Sequence, residues 1–227
     1  MNNILNYITY GMYILTFNEN NKIGGCVLNT FSQVTSEDEI ISINLNKNNY
    51  SNEVIKRTKK FNINILGEEI DKNIISIFGF SSSKEKNKFE NINYDLIDNL
   101  PVIKDGVIGY ITCEIINIID CNTHDIVIAK IINKKTINNK LIPMTYKYYH
   151  EVIKGNAPKN APTYQEIEKN ISDKTIYICE ICGYVHEGEL PDDFICPICG
   201  AEKKYFRKNK WNSLQKFTIW IAVFKCK

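Results

Sequence analysis

Residues 24–55, GGCVLNTFSQVTSEDEIISINLNKNNYSNEVI, hold the pattern that decides the fold. Short Ile/Val/Leu/Phe runs stop at polar breaks. Within IISINLN apolar and polar residues alternate, the spacing of a half-buried strand. The period then changes. SNEVIKRTKK has helical spacing and begins at Ser51, whose hydroxyl is suited to cap a helix N-terminus. Working outward, YGMYILTF, KIGGCVLNTF, KFNINIL, YITCEIINIIDC and HDIVIAKIIN read as further strands, and EEIDKNIISIFGF as a second helix. Many strands with few helices predict a mainly β fold, a barrel with helical decoration. There is no G-x-G-x-x-G stretch, hence no Rossmann fingerprint, and no internal repeat.

The chain has 227 residues, enough for one domain of about 150 residues and a small second one. Hydrophobic residues make up 44% and charged residues 24%, as in a globular protein. A formal net charge of +2, without a block of like charges, gives no electrostatic case for nucleic acid. The N-terminal MNNILNYITYGMYIL lacks the basic start and clean apolar core of a signal peptide. No apolar run approaches the ~20 residues of a membrane span, so a cytoplasmic location is expected.

Residues 179–200, CEICGYVHEGELPDDFICPICG, contain two Cys-x-x-Cys pairs with thirteen residues between them. Each pair fits one side of a tetrahedron, so Cys179, Cys182, Cys196 and Cys199 are the expected ligands of an S4 metal site. Zinc and iron both suit it. Gly183 and Gly200 follow the second cysteine of each pair. Glycine permits the left-handed backbone that would turn amide N–H groups toward the sulfurs. Cys26, Cys113 and Cys121 sit in apolar strands and read as buried small hydrophobes. Cys226 has no assignable role. The two Ala-Pro pairs of KGNAPKNAPTYQ read as a semi-stiff linker, followed by a helix-like YQEIEKN. The expected organisation is a barrel over 1–153, a linker over 154–172, a metal-knuckle domain over 173–208 and a tail over 209–227.

The knuckle region, with Tyr177 ahead of the first pair, Gly-Tyr after it and Cys-Pro in the second, resembles rubredoxin, most closely the short-loop form appended to rubrerythrins. The likeness covers about thirty residues. It implies one iron for single-electron transfer and a small aromatic core of Tyr177, Tyr184, Phe194 and Phe206. His186 is expected in a surface loop, not on the metal. The larger region resembles the flavin reductase family through residues 24–55, FGFSSSKEKNKF and PMTYKYYHEVIKG. That likeness implies an FMN-binding split β-barrel. The combination is similar to the high-molecular-weight rubredoxins, which are flavin reductase–rubredoxin fusions.

The resemblance also implies site residues. Asn29, Thr30 and Gln33 match the family's strand against the isoalloxazine ring. Lys47, Asn49 and Ser51 match its segment near the FMN phosphate. Ser82, Lys88 and Phe89 match its flavin-facing loop after the second helix. His124 stands where the family places a histidine near flavin and nicotinamide. Ser83 replaces a frequent glycine, and Asn52 a frequent histidine. The implied activity is NAD(P)H oxidation, passing electrons from FMN to the rubredoxin iron and on to a redox protein such as a flavodiiron reductase of nitric oxide or oxygen. A homodimer is implied as well. Two other readings remain. One is a zinc-ribbon binding module on a flavin-binding barrel without turnover. The other is a flavoredoxin-like relay that does not use NAD(P)H. Glu180, Glu187, Glu189, Asp192 and Asp193 gather around the knuckles, where they would either steer a basic partner or form an ordinary solvated face.

Overall fold

The computed structural model describes residues 4–153, 155, 175–181 and 184–209. Most of the linker, the YQEIEKN segment, Cys182, Gly183 and everything after Asn209 lie outside that description. The chain divides into two compact units, Met1–Gln165 and Glu166–Lys227.

The first unit contains β1 (Tyr13–Glu19), β2 (Lys22–Leu28), β3 (Phe31–Gln33), β4 (Ile40–Asn46), α1 (Tyr50–Thr58), β5 (Lys60–Leu66), α2 (Lys72–Phe80), β6 (Tyr94–Ile97), β7 (Leu100–Ile103), β8 (Val107–Cys121), β9 (His124–Thr136) and α3 (Tyr146–Glu151). Seven strands form one sheet in the order β2-β1-β5-β8-β9-β4-β3, and each pairing is antiparallel. The KIGGCVLNTF run divides into β2 and β3 at Asn29 and Thr30, so the two ends of one apolar run lie at opposite edges of the sheet.

The sheet curls around one apolar core. Leu15 and Phe17 of β1, Ile41 and Ile43 of β4, Phe61 and Ile63 of β5 and Val127 and Ala129 of β9 meet there, with Val54 and Ile55 of α1. All ten are fully buried, and burying a residue of the Val/Leu/Ile/Phe kind contributes roughly 1.5–3 kcal/mol. The cap of α1 is Asn49 rather than Ser51. The Asn49 Oδ1 accepts from the Ser51 N–H at 2.9 Å, and Ser51 lies within the helix. At the other end Lys59 adopts a left-handed conformation and donates its N–H to the Ile55 carbonyl, closing the helix.

The other face of the sheet is polar yet buried. Thr16, Asn62 and Asn64 are covered by the β6–β7 hairpin, whose Leu100–Ile103 strand is buried throughout. Asn64 accepts from the Ile103 N–H at 2.9 Å, and the Thr16 hydroxyl donates to the Pro101 carbonyl. Buried amides need such partners, so the hairpin and this polar row depend on each other.

The second unit is a three-stranded sheet of β10 (Ile176–Cys179), β11 (Val185–Glu187) and β12 (Phe206–Asn209) in the order β11-β10-β12. Tyr184, Phe194 and Phe206 meet edge to face, with centroids 5.3 Å apart for Phe194–Phe206 and 6.4 Å for Tyr184–Phe206. Tyr177 departs from the expected aromatic core. Its hydroxyl donates to Glu189, and the Lys208 ammonium lies over its ring. Among the described residues no helix is long and apolar enough to cross a membrane.

Two glycines separate packing from propensity. A Cβ on Gly25 would lie 2.2 Å from the Leu15 carbonyl oxygen, whereas one on Gly79 would first meet Val27 at 3.6 Å. Gly25→Ala is expected to cost about 2–3 kcal/mol through overpacking. Gly79→Ala, inside α2, is expected to gain about 0.5–1 kcal/mol from helix propensity. Urea unfolding of the two variants checks this, and equal stabilities would contradict it.

Candidate cofactor and metal sites

The Sγ atoms of Cys179, Cys196 and Cys199 lie within 4.8 Å of one another, with Cys179 and Cys199 at 3.6 Å. Metal–sulfur bonds of about 2.3 Å directed to a tetrahedron separate the sulfurs by about 3.8 Å, so these thiols suit three corners of an S4 site. Cys182, the expected fourth ligand, lies outside the described residues. Backbone bonds hold the corners. The Cys179 N–H donates to the Tyr184 carbonyl and the Cys196 N–H to the Ala201 carbonyl, both at 2.8 Å. Gly200 is left-handed, at φ 68°, as expected. Its own N–H, however, donates to the Cys196 carbonyl at 2.9 Å instead of turning to a sulfur. His186 lies in β11, half-buried against Phe194 with centroids 4.7 Å apart, and is not among the clustered ligands.

In the first unit, the start of α1 and the β8–β9 turn come together. The Lys47 N–H donates to the Thr123 carbonyl at 3.0 Å, and its ammonium pairs with Asp120. That hydrogen bond holds the Asp120 carboxyl below its usual range. The charge expected for a phosphate is therefore already matched by a carboxylate. His124, the first residue of β9, pairs in register with Asn46 and Cys121, and its Nδ1 lies 2.9 Å from the Thr123 hydroxyl. Cys121 is exposed at this hairpin end, contrary to the buried role expected for it, because β8 runs on beyond the core. Cys26 and Cys113 are buried as expected. Burial raises the Cys26 thiol pKa against hydrogen bonds from Ser51 and Asn49.

Beside this corner lies a buried cluster that the sequence reading missed. Asp125 is 2% exposed, accepts from the Asn52 amide at 2.7 Å and pairs with Lys56. Burial raises its pKa, but the bonds from Lys56 and Asn52 and the lysine charges outweigh that and leave it lowered. The Asn52 Oδ1 is buried and unpartnered within the chain. An orphaned acceptor at the first turn of a helix suits a hydroxyl or amide of a bound cofactor. No sequence signal marks Asp125, since it reads as a strand-edge acid.

Thr30 donates its hydroxyl to the Asn44 carbonyl at 2.9 Å, and the Gln33 amide donates to the Thr35 carbonyl at 3.0 Å. Asn29 sits half-buried in the break between β2 and β3. β3 is an outermost strand of the sheet, so backbone groups on its outer side are available to a planar polar ligand. Ser82, Lys88 and Phe89 lie apart from this edge in sequence, on the loop after α2. The Ser82 hydroxyl accepts from the Lys84 N–H at 3.2 Å. Phe89 is buried against Phe78 and Tyr94. Lys88 is 3% exposed and donates to the carbonyls of Gly25, at 2.8 Å, and Phe78, at 3.0 Å. Its ammonium also lies 5.4 Å from the Phe78 ring centroid. Ser83 both donates to the Gly25 carbonyl and accepts from its N–H.

Comparison with known proteins agrees with this division. Residues 5–154 match the flavin reductase like domain family, and residues 177–207 match the rubrerythrin, rubredoxin-like domain family. The chain is 35% identical to a high molecular weight rubredoxin of Moorella thermoacetica, over 90% of this chain and 97% of that protein. It is 29% identical to a ferric-chelate reductase (NAD(P)H) of Archaeoglobus fulgidus, over 70% of this chain and 94% of the other. Among solved structures, flavoredoxin from Methanosarcina acetivorans superposes with a TM-score of 0.55 at 19% identity, covering 63% of this chain and 76% of that one, a likeness of fold.

Burial drives the Lys88 pKa down to about 8, well below a free lysine. Above the folded value and below the unfolded value near 10.4, the unfolded chain binds more protons, so stability rises with pH. Unfolding free energy is expected to climb between about pH 8 and 10, and in Lys88→Met that climb is lost. Chemical denaturation of both proteins across this range decides it; parallel curves would mean that Lys88 titrates as an exposed lysine.

Proposed function

This chain belongs to the flavin reductase-like family, carries a rubredoxin-like domain behind that barrel and is an oxidoreductase with a flavin/rubredoxin electron-transfer role; from that premise we propose that it takes electrons from NAD(P)H through FMN to an iron at the cysteine knuckles, and on to a redox protein. The observation that carries the reading is the three-thiol cluster, at S4 spacing, in the same chain as a flavin reductase-like barrel. A bound flavin accepts a hydride and can release electrons singly, and an iron held by thiolates accepts them one at a time. The balance is one hydride, that is two electrons and a proton, from NAD(P)H, delivered onward as two single electrons with release of that proton. The ferric-chelate reductase relative supports the nicotinamide donor through its name.

The chain's own residues have the task of positioning. Asn29, Thr30 and Gln33 line the proposed ring edge, and Asn49 and Ser51 sit at the α1 end. Ser82, Lys88 and Phe89, on the loop after α2, are further flavin contacts on the family resemblance alone. His124 stands at the rim as the candidate group facing donor and flavin. The cysteines, with Cys182 as the proposed fourth, hold the metal, and iron is favoured by the rubredoxin-like match. A reducing cytoplasm suits free thiolates. A homodimer is proposed on the family resemblance, and exposed Ile116 and Ile119 near the turn end of the β8–β9 hairpin are compatible with it. A flavodiiron protein is the proposed acceptor, on the family resemblance.

Anaerobic protein from iron-replete cells is expected to show flavin and ferric-thiolate absorption, both bleaching when NADH or NADPH is added. Zinc at the knuckles after iron reconstitution, with only the flavin bleaching, would replace this reading with a structural zinc ribbon. A protein that neither nucleotide reduces would be a relay fed by another reductase.

A further inference from the structure

From its sequence the linker is expected to begin at residue 154. The next residue, however, is tied to the barrel. Gly155 is buried, and both of its backbone groups bond to α3. Its N–H donates to the Tyr149 carbonyl at 3.0 Å. Its carbonyl oxygen lies 2.7 Å from the Nδ1 of His150. A carbonyl oxygen only accepts, so Nδ1 carries the proton and donates it. That leaves Nε2 as an acceptor, buried and without a partner among the described residues. A second proton there would make a buried N–H with nothing to receive it. Burial accordingly lowers the His150 pKa, against the Gly155 bond, which raises it. The imidazole is thus held neutral, in the tautomer that the Gly155 carbonyl selects.

Space enforces the same contact. A Cβ on Gly155 would lie 2.1 Å from the Tyr149 ring. Tyr149 is 3% exposed, so its ring has little room to yield. His150 also meets Tyr146 edge to face, with centroids 4.3 Å apart. The helix is tied in turn to the strands. Tyr146, its first residue, donates its N–H to the Tyr10 carbonyl at 2.8 Å. Met144, just before it, donates to the Leu66 carbonyl at 2.9 Å and accepts from the Met12 N–H at 3.0 Å. A continuous set of bonds therefore runs from the end of β5 through α3 to Gly155.

We propose that His150, Tyr149 and Gly155 form a clasp that closes the barrel and roots the linker, so that the segment leading to the metal unit leaves from residue 156. His150 is the positioning residue, acting through the Gly155 backbone. The clasp concerns the connection between the two units and holds whichever redox chemistry they carry. Opened back to the end of α3, it would give the linker residues 152–155 as well, about 13 Å of extra reach.

The test is limited trypsin digestion of the full-length protein and of its His150→Gln, His150→Asn and Gly155→Ala variants. Cleavage between Lys154 and Gly155 requires an open clasp, so its rate follows the open population. Cleavage after Lys159 is the internal reference, and cleavage after Lys56, within α1, reports unfolding of the barrel. Asparagine carries an amide donor at the position of Nδ1, whereas glutamine carries it further out, near that of Nε2. Relative to Lys159, His150→Gln is expected to speed cleavage at Lys154 about tenfold, with His150→Asn close to wild type. Gly155→Ala is expected to speed it at least about tenfold through the clash with Tyr149. Wild-type protein cut as readily at Lys154 as at Lys159 overturns the clasp, and so does a wild-type ratio in both His150→Gln and Gly155→Ala. His150→Asn as labile as His150→Gln overturns the positioning role of His150. Early cleavage at Lys56 in Gly155→Ala would mean that this variant has lost the fold, and the two His150 variants then decide.

Discussion

The backbone of Gly25 serves three masters in a space that admits no side chain. On one side the Leu15 carbonyl stands where a Cβ would be, and the Phe78 ring closes another approach. Into the remaining directions come the Ser83 hydroxyl and the Lys88 ammonium. β2 is an outermost strand of the sheet, and outermost strands leave backbone groups unpaired unless something covers them. Here the loop after α2 does so with side chains instead of another strand. A buried cation with two carbonyl acceptors and an aromatic face remains costly, as its depressed pKa shows. The Ser83 and Lys88 bonds, which offset that cost, fix both ends of the loop to one residue, and the segment between them inherits the position.

The same logic governs the opposite face of the sheet. KFNINIL alternates apolar residues with asparagine, a pattern that on its own places Asn62 and Asn64 in water. They are fully buried because the β6–β7 hairpin lies over them and offers its backbone as partner. The hairpin was illegible in sequence. Its strands have four residues each, one contains Pro101, and the turn between them relies on left-handed Asp98 and Asn99. β4 and β5 were legible to the residue, since each alternates through its whole length between polar breaks.

Other departures have similar causes. Asn49 and Ser51 both offer an oxygen two residues apart, and local sequence does not choose between them. The choice follows from Lys47 and Asn49 donating their N–H groups to Thr123 and Asn46, which sets where the helix begins. Lys88 reads as a surface lysine until the loop returns to Gly25, a contact across 63 positions of sequence. Asp125 gains its meaning only when α1 brings Asn52 and Lys56 to it. The thiol cluster was the most legible part, because a two-residue spacing and a turn decide ligand geometry locally. The three described sulfurs accordingly converge.

The acidic residues around the knuckles show how far composition carries an electrostatic argument. Glu189 accepts from Tyr177 and pairs with Lys208, and Asp192 pairs with Lys203. Arg207 lies 4.0 Å from Glu180. Each of these pairs is at the surface, where an ion pair contributes little to stability but does cancel the field of its members. With Glu180, Glu189 and Asp192 so paired, the five acids make a weaker steering field than their number suggests. Exposed Ile181 and Ile195 lie close in sequence to the cysteines. Apolar contact at these two side chains is short in range, and salt screens it far less than a long-range field.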